Sequence, residues 1–176
     1  MTTPPPPLAG RREVFGWAMY DFANSGYTTV VLTAIFNVYF VKVVAGEAGG
    51  LNPGTPTLLW TIAIAVANGL VILSAPVVGA IADYSAAKKR FLLISTVGCV
   101  VFTALLALAG PGDIVLAMTL VVLSSVMFYS GENLIAAFLP EISTQEHMGR
   151  TSAYGWTIGY LGGLLILGLC LGYVSW

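Results

Sequence analysis

Residues 58–82 read LLWTIAIAVANGLVILSAPVVGAIA, an apolar run with no Asp, Glu, Lys or Arg in it. Crossing about 30 Å of hydrocarbon at about 1.5 Å per residue takes about 20 apolar residues in a helix. The run exceeds that length and predicts a transmembrane helix. Outward from it, four further stretches meet the same requirement: residues 15–44, 91–109, 113–139 and 152–176. The predicted fold class is therefore all-α integral membrane, with five transmembrane helices.

Composition agrees. Hydrophobic residues make up 57% of the chain and charged residues 9%, and the mean hydropathy is +0.88. Soluble domains carry about 25% charged residues, so lipid must solvate much of this surface. A net charge of −1, with no basic run beside an aromatic platform, excludes nucleic acid as a partner.

Between the spans the chain carries helix breakers. Gly46 to Pro56 contains Gly49, Gly50, Pro53 and Gly54; Gly110-Pro111-Gly112 is a tight turn; Pro140 to Arg150 is the most polar connection. Residues 1–13, with Pro4 to Pro7, read as a disordered or polyproline-like tail. Residues 14–176 read as one transmembrane domain. A cleaved signal peptide is a poor reading of the first stretch, which is too long and is interrupted by Asp21 and Asn24. With the N-terminus in the cytoplasm, Arg11, Arg12, Lys88, Lys89, Arg90 and Arg150 all lie inside and only Lys42 outside. That bias sets the expected orientation, and it suits a bacterial inner membrane. Because Trp176 falls at the end of a span, the chain is expected to be truncated.

Polar groups in these spans are the candidate functional residues. Asp21, Asn24, Ser25 and Thr28 share one face of the first helix at i, i+3, i+4 and i+7. An ionised carboxylate in hydrocarbon costs several kcal/mol, so this face must meet protein or a water-filled cavity. Glu132 and Asn133 sit in the fourth stretch at a depth comparable to that of Asp21. Two carboxylates at one height on two helices suit a cation site or a proton relay, against the alternative that each fixes helix packing through a structural partner. Asn68, near the middle of the second span, is a further candidate; Asn37, Ser124, Ser125 and Ser130 are accounted for by interhelical hydrogen bonds. Gly155, Gly159 and Gly163, at four-residue spacing, form a face for close helix packing. Cys99 and Cys170 read as small hydrophobes, no Cys/His spacing suits zinc, and nothing in the chain calls for a cofactor.

Gly79-Ala-Ile-Ala-Asp83-Tyr-Ser-Ala-Ala-Lys88-Lys89-Arg90 joins the second and third spans. This resembles the loop motif of the major facilitator superfamily, although Tyr84 stands where a basic residue is expected and Ala86 where a glycine is. Gly16-Trp-Ala-Met-Tyr20-Asp21-Phe-Ala-Asn24-Ser25, Ala75-Pro76-Val-Val-Gly79, Phe138-Leu-Pro140-Glu141 and Gly159-Tyr160-Leu-Gly162-Gly163 resemble the vacuole-effluxer-like branch of that superfamily, associated in fungi with amino-acid export from the vacuole. The resemblance implies most of the N-terminal six-helix half of a carrier, lacking its sixth helix and its C-terminal half. It also implies that Gly79, Asp83, Lys88, Lys89 and Arg90 form a conformational latch.

The expected function is secondary active transport of a small polar solute by alternating access. Amino-acid efflux coupled to protons or cations is the particular form expected, with Asp21, Asn24, Glu132, Asn133 and Asn68 binding solute or ion. The alternative is a membrane assembly or sensor protein that does not transport. An intramembrane enzyme is set aside, since the lone histidine, His147, lies in a loop and cannot complete a His-Glu-x-x-His helix.

Overall fold

The computed structural model describes residues 10–46, 50–84 and 87–175. Residues 1–9 of the expected tail, Gly49, Ala86, Trp176 and the side chain of Asp83 lie outside the described residues. Among the described residues all regular structure is helical, and five helical spans are long and apolar enough to cross a membrane. They run Arg11–Val44, Thr55–Ala82, Lys88–Leu108, Ile114–Ile142 and Met148–Val174. Hydrocarbon offers backbone N–H and C=O groups no partner, and a helix satisfies them within one segment.

Several helices begin before the apolar runs do, at Thr55, Lys88 and Met148 rather than near residues 58, 91 and 152. Hydropathy marks where a helix meets lipid, and the helix continues into the polar headgroup region. One consequence concerns the second connection. The second helix runs to Tyr84 and the third begins at Lys88, so Lys88, Lys89 and Arg90 form its first turn rather than a loop. The second helix also passes through Pro76, a residue tolerated in membrane helices because neighbouring groups take up the freed carbonyl.

The first span is not uniformly α-helical. It is α-helical over Arg11–Gly26, π-helical over Tyr27–Ala34, α-helical over Phe36–Tyr39 and π-helical again over Phe40–Val44. Backbone bonds from Ile35 N to Val30 O and from Ala45 N to Phe40 O, both 2.9 Å, span five residues. The Thr33 hydroxyl likewise donates to the Thr28 carbonyl at 2.9 Å. Tyr27-Thr-Thr-Val-Val-Leu-Thr is rich in β-branched residues, whose restricted χ1 disfavours α-helix. The widened turn occurs where that intrinsic preference is weakest.

The chain divides into two compact units. One comprises Met1–Gly26 and Ile135–Trp176, the other Tyr27–Leu134. The Tyr27–Leu134 unit holds an apolar core of Tyr27, Val31, Phe40, Val44, Trp60, Ala63, Cys99, Leu106, Ala117, Leu120, Val121 and Phe128. Its aromatic centre is Trp60, whose ring lies 5.5 Å from Phe40 and 6.2 Å from Phe36. The turn at Gly110–Asp113 is locked there by Gly110 N donating to the Asp113 carboxylate at 3.0 Å and Gly112 N donating to Val44 O at 2.9 Å. Gly112 adopts φ +89°, which an L side chain would strain. In the other unit the start of the first span packs along the fifth, and a one-turn helix, Leu139–Ile142, is tied to the fifth by a Ser143–Thr151 hydroxyl bond of 3.0 Å.

Candidate functional site

In the unit formed by the two chain ends, the α-helical part of the first span lies against the glycine face of the fifth. Gly155, Gly159, Gly162 and Gly163 are all buried. A Cβ on Gly155 would strike the Trp17 ring. One on Gly159 would strike the Asp21 carboxylate and the Ser25 hydroxyl, and one on Gly162 the backbone carbonyl of Phe22. A Cβ on Gly26 would in turn meet Ile166. The two helices run in the same direction, since residues 17, 21, 22 and 26 meet residues 155, 159, 162 and 166 in order. Trp17 is fixed at a second point, its indole N–H donating to the Ile135 carbonyl at 2.9 Å.

Asp21 is therefore half-buried in a helix seam, its carboxylate held over the bare backbone of Gly159. Glycine at that position leaves the volume the carboxylate occupies. Asn24 and Ser25 are half-buried on the same helix. The face expected to continue to Thr28 stops short: Thr28 is exposed and lies in the π-helical stretch.

Glu132, Asn133 and Asn68 belong to the other unit. Glu132 and Asn68 are half-buried, and Asn133 is exposed. Glu132 follows Phe128 by one helical turn, on a helix whose buried face also holds Ser124 and Ser125. There the Tyr27 hydroxyl is hydrogen-bonded to Ser124 at 2.7 Å and to Ser125 at 3.0 Å, and the Tyr27 ring stacks on Phe128 at 4.8 Å. Further along the sequence, Gly79 is half-buried three residues after Pro76, Lys88 is half-buried, and Lys89 and Arg90 are exposed.

Three features of these seams are not among the candidate site and packing residues read from the sequence. Gly162 meets the Phe22 backbone, and four-residue counting from Gly155 passes over it. Tyr27 reads as one more aromatic of an apolar run, although the paired Ser124-Ser125 was a signal of a buried partner. Trp17 bonds a main-chain carbonyl, which has no sequence signature.

Five apolar helices, with polar side chains held in interhelical seams, define a multi-pass helical membrane protein. A model of the family described as vacuole effluxer Atg22 like matches residues 55–149, more than half of the chain. The chain is also 34% identical over 147 residues to the uncharacterized MFS-type transporter YxiO of Bacillus subtilis (strain 168), an alignment covering 83% of this chain and 34% of that protein. It thus spans about a third of that relative's length. No solved structure matches. The chain belongs to the vacuole effluxer Atg22-like family.

Proposed function

We propose that the chain is part of a secondary active carrier that moves a small polar solute, an amino acid leaving its compartment, by alternating access coupled to protons or another cation. The observation that carries this reading is the Asp21 carboxylate, set within a membrane span and accommodated by the bare backbone of Gly159. An intramembrane carboxylate is costly to retain, and it serves ion or solute pathways more readily than packing. Family membership and the transporter named among its relatives support the same class.

In this reading Asp21 and Glu132 bind the coupling ion or the solute's ammonium, Asn24 and Asn133 orient it, and Asn68 contributes a hydrogen bond. Asp83 with Gly79, Lys88, Lys89 and Arg90 biases one conformation. The protein sits in a bacterial inner membrane with its N-terminus in the cytoplasm, acts without a cofactor and catalyses no bond-making step.

The test is amino-acid and proton flux in proteoliposomes made with the full-length protein and its Asp21→Asn and Glu132→Gln variants. Loss of flux in a variant that inserts and folds normally is the expected result. Unchanged flux in both variants overturns the site, and no flux from the parent across a broad solute panel overturns the carrier reading.

A further inference from the structure

Beside its glycine face, the fifth span carries an aromatic pair. The rings of Trp156 and Tyr160 are 6.1 Å apart and inclined at 52°, and their side chains are 65% and 66% exposed. The glycine contacts establish which edge of the helix pair they occupy. An α-helix turns about 100° per residue. Measured from Gly155, Gly162 therefore lies about 20° to one side and Gly159 about 40° to the other; Trp156 and Tyr160 lie on the side of Gly159, at about 100° and about 140° from Gly155. Phe22 meets Gly162, whereas Asp21 and Ser25 meet Gly159. Asp21 thus lies on the edge of the seam from which the two aromatic residues extend, and Tyr160, next in sequence to Gly159, stands at its level.

We propose that Asp21, Trp156 and Tyr160 form a subsite for an alkylammonium group. The inference rests on the carrier reading and narrows it from any cation to an organic one. A carboxylate attracts every cation. Aromatic faces discriminate, because they favour a weakly hydrated ammonium whose carbon substituents also pack against the rings. Small hard metal ions instead demand a shell of several oxygen ligands. One carboxylate edged by an indole and a phenol matches the first chemistry. The competing use of Trp and Tyr near a helix end is anchoring at the lipid headgroups, and that use makes no demand on Asp21.

The test uses the full-length protein in nanodiscs with tetramethylammonium as the probe, read by equilibrium binding with sodium as competitor. Trp156→Leu and Tyr160→Leu are expected to weaken binding about three- to thirty-fold each, with Tyr160→Phe close to the parent and Asp21→Asn giving the largest loss. Excess sodium is expected to compete poorly. Both rings are exposed, so leucine at either position preserves an apolar surface without opening the core, and Tyr160→Phe reports on the ring alone. Parent-like binding in both leucine variants overturns the subsite, as does a parent that binds no probe. If flux of another solute still requires Asp21 in either case, the carrier reading stands without the subsite. If instead probe binding depends on Asp21 and the rings while Asp21→Asn transports normally, the subsite stands and the transport role given to Asp21 falls.

Discussion

Tyr27, the first residue of the π-helical stretch, is hydrogen-bonded through its hydroxyl to Ser124 at 2.7 Å, with both residues buried. The same hydroxyl reaches Ser125 at 3.0 Å. The irregular part of the first span is thereby tied to the middle of the fourth by a polar cluster inside an apolar core.

Removing that hydroxyl with Tyr27→Phe keeps the ring over Phe128 and deprives Ser125 of its partner, while Ser124 retains a 3.1 Å bond to the Val121 carbonyl. Interhelical hydrogen bonds in membranes contribute about 0.6 kcal/mol on average and about 1.7 kcal/mol at most. Denaturant unfolding in detergent micelles should report a loss in that range. Unchanged stability would mean the cluster exchanges freely with other partners.

The glycines of the fifth span should differ in how they tolerate a methyl group. At Gly162 the obstacle is the Phe22 main chain, which cannot move aside without displacing the helix. At Gly159 it is the ends of the Asp21 and Ser25 side chains, which can rotate. Gly162→Ala is expected to cost about 1–3 kcal/mol, in the range of overpacked cores, and Gly159→Ala less. Thermal unfolding of the two variants side by side decides it, and the reverse order would refute the seam as described.

Trp17 holds two roles that substitution can separate. Trp17→Phe removes the indole donor but leaves an aromatic ring against Gly155, and the Ile135 carbonyl still accepts from Phe138 N at 3.2 Å. A loss of about 1 kcal/mol or less is expected. Trp17→Ala also empties the space over the glycine and should cost about 3–5 kcal/mol. Similar losses from both variants would show that the hydrogen bond, not the packing, secures the contact.

The orientation inferred from basic residues predicts a labelling pattern. In a background with Cys99 and Cys170 replaced, Arg12→Cys and Gln145→Cys should resist a membrane-impermeant maleimide added to intact cells. Asn52→Cys should react. The inverse pattern would place the N-terminus outside and assign Lys88 to Arg90 to the external face.

Much of the architecture is legible residue by residue. The apolar run at residues 58–82 announces a span because length and hydropathy are local properties that lipid reads directly. Asp21 is conspicuous for the converse reason, as a charge in a segment where charge is costly. The π-helical turns after Gly26 are not legible in this way: a run of β-branched residues lowers α preference without stating what replaces it. The Gly159–Asp21 contact is hidden as well, since each residue is visible alone and nothing in the chain says that they meet.

The sequence by itself determined that this is an all-helical membrane protein of five spans, because transfer into lipid depends on the composition of each segment and not on its neighbours. It also marked out the polar residues that such segments carry at a cost. Only the tertiary structure decided that Asp21 lies over Gly159 and that Gly162 meets the Phe22 backbone. Within a bilayer both sides of a helix are apolar, so hydropathy does not distinguish a lipid-facing surface from a packed one. Close-range fit between two particular backbones makes that choice.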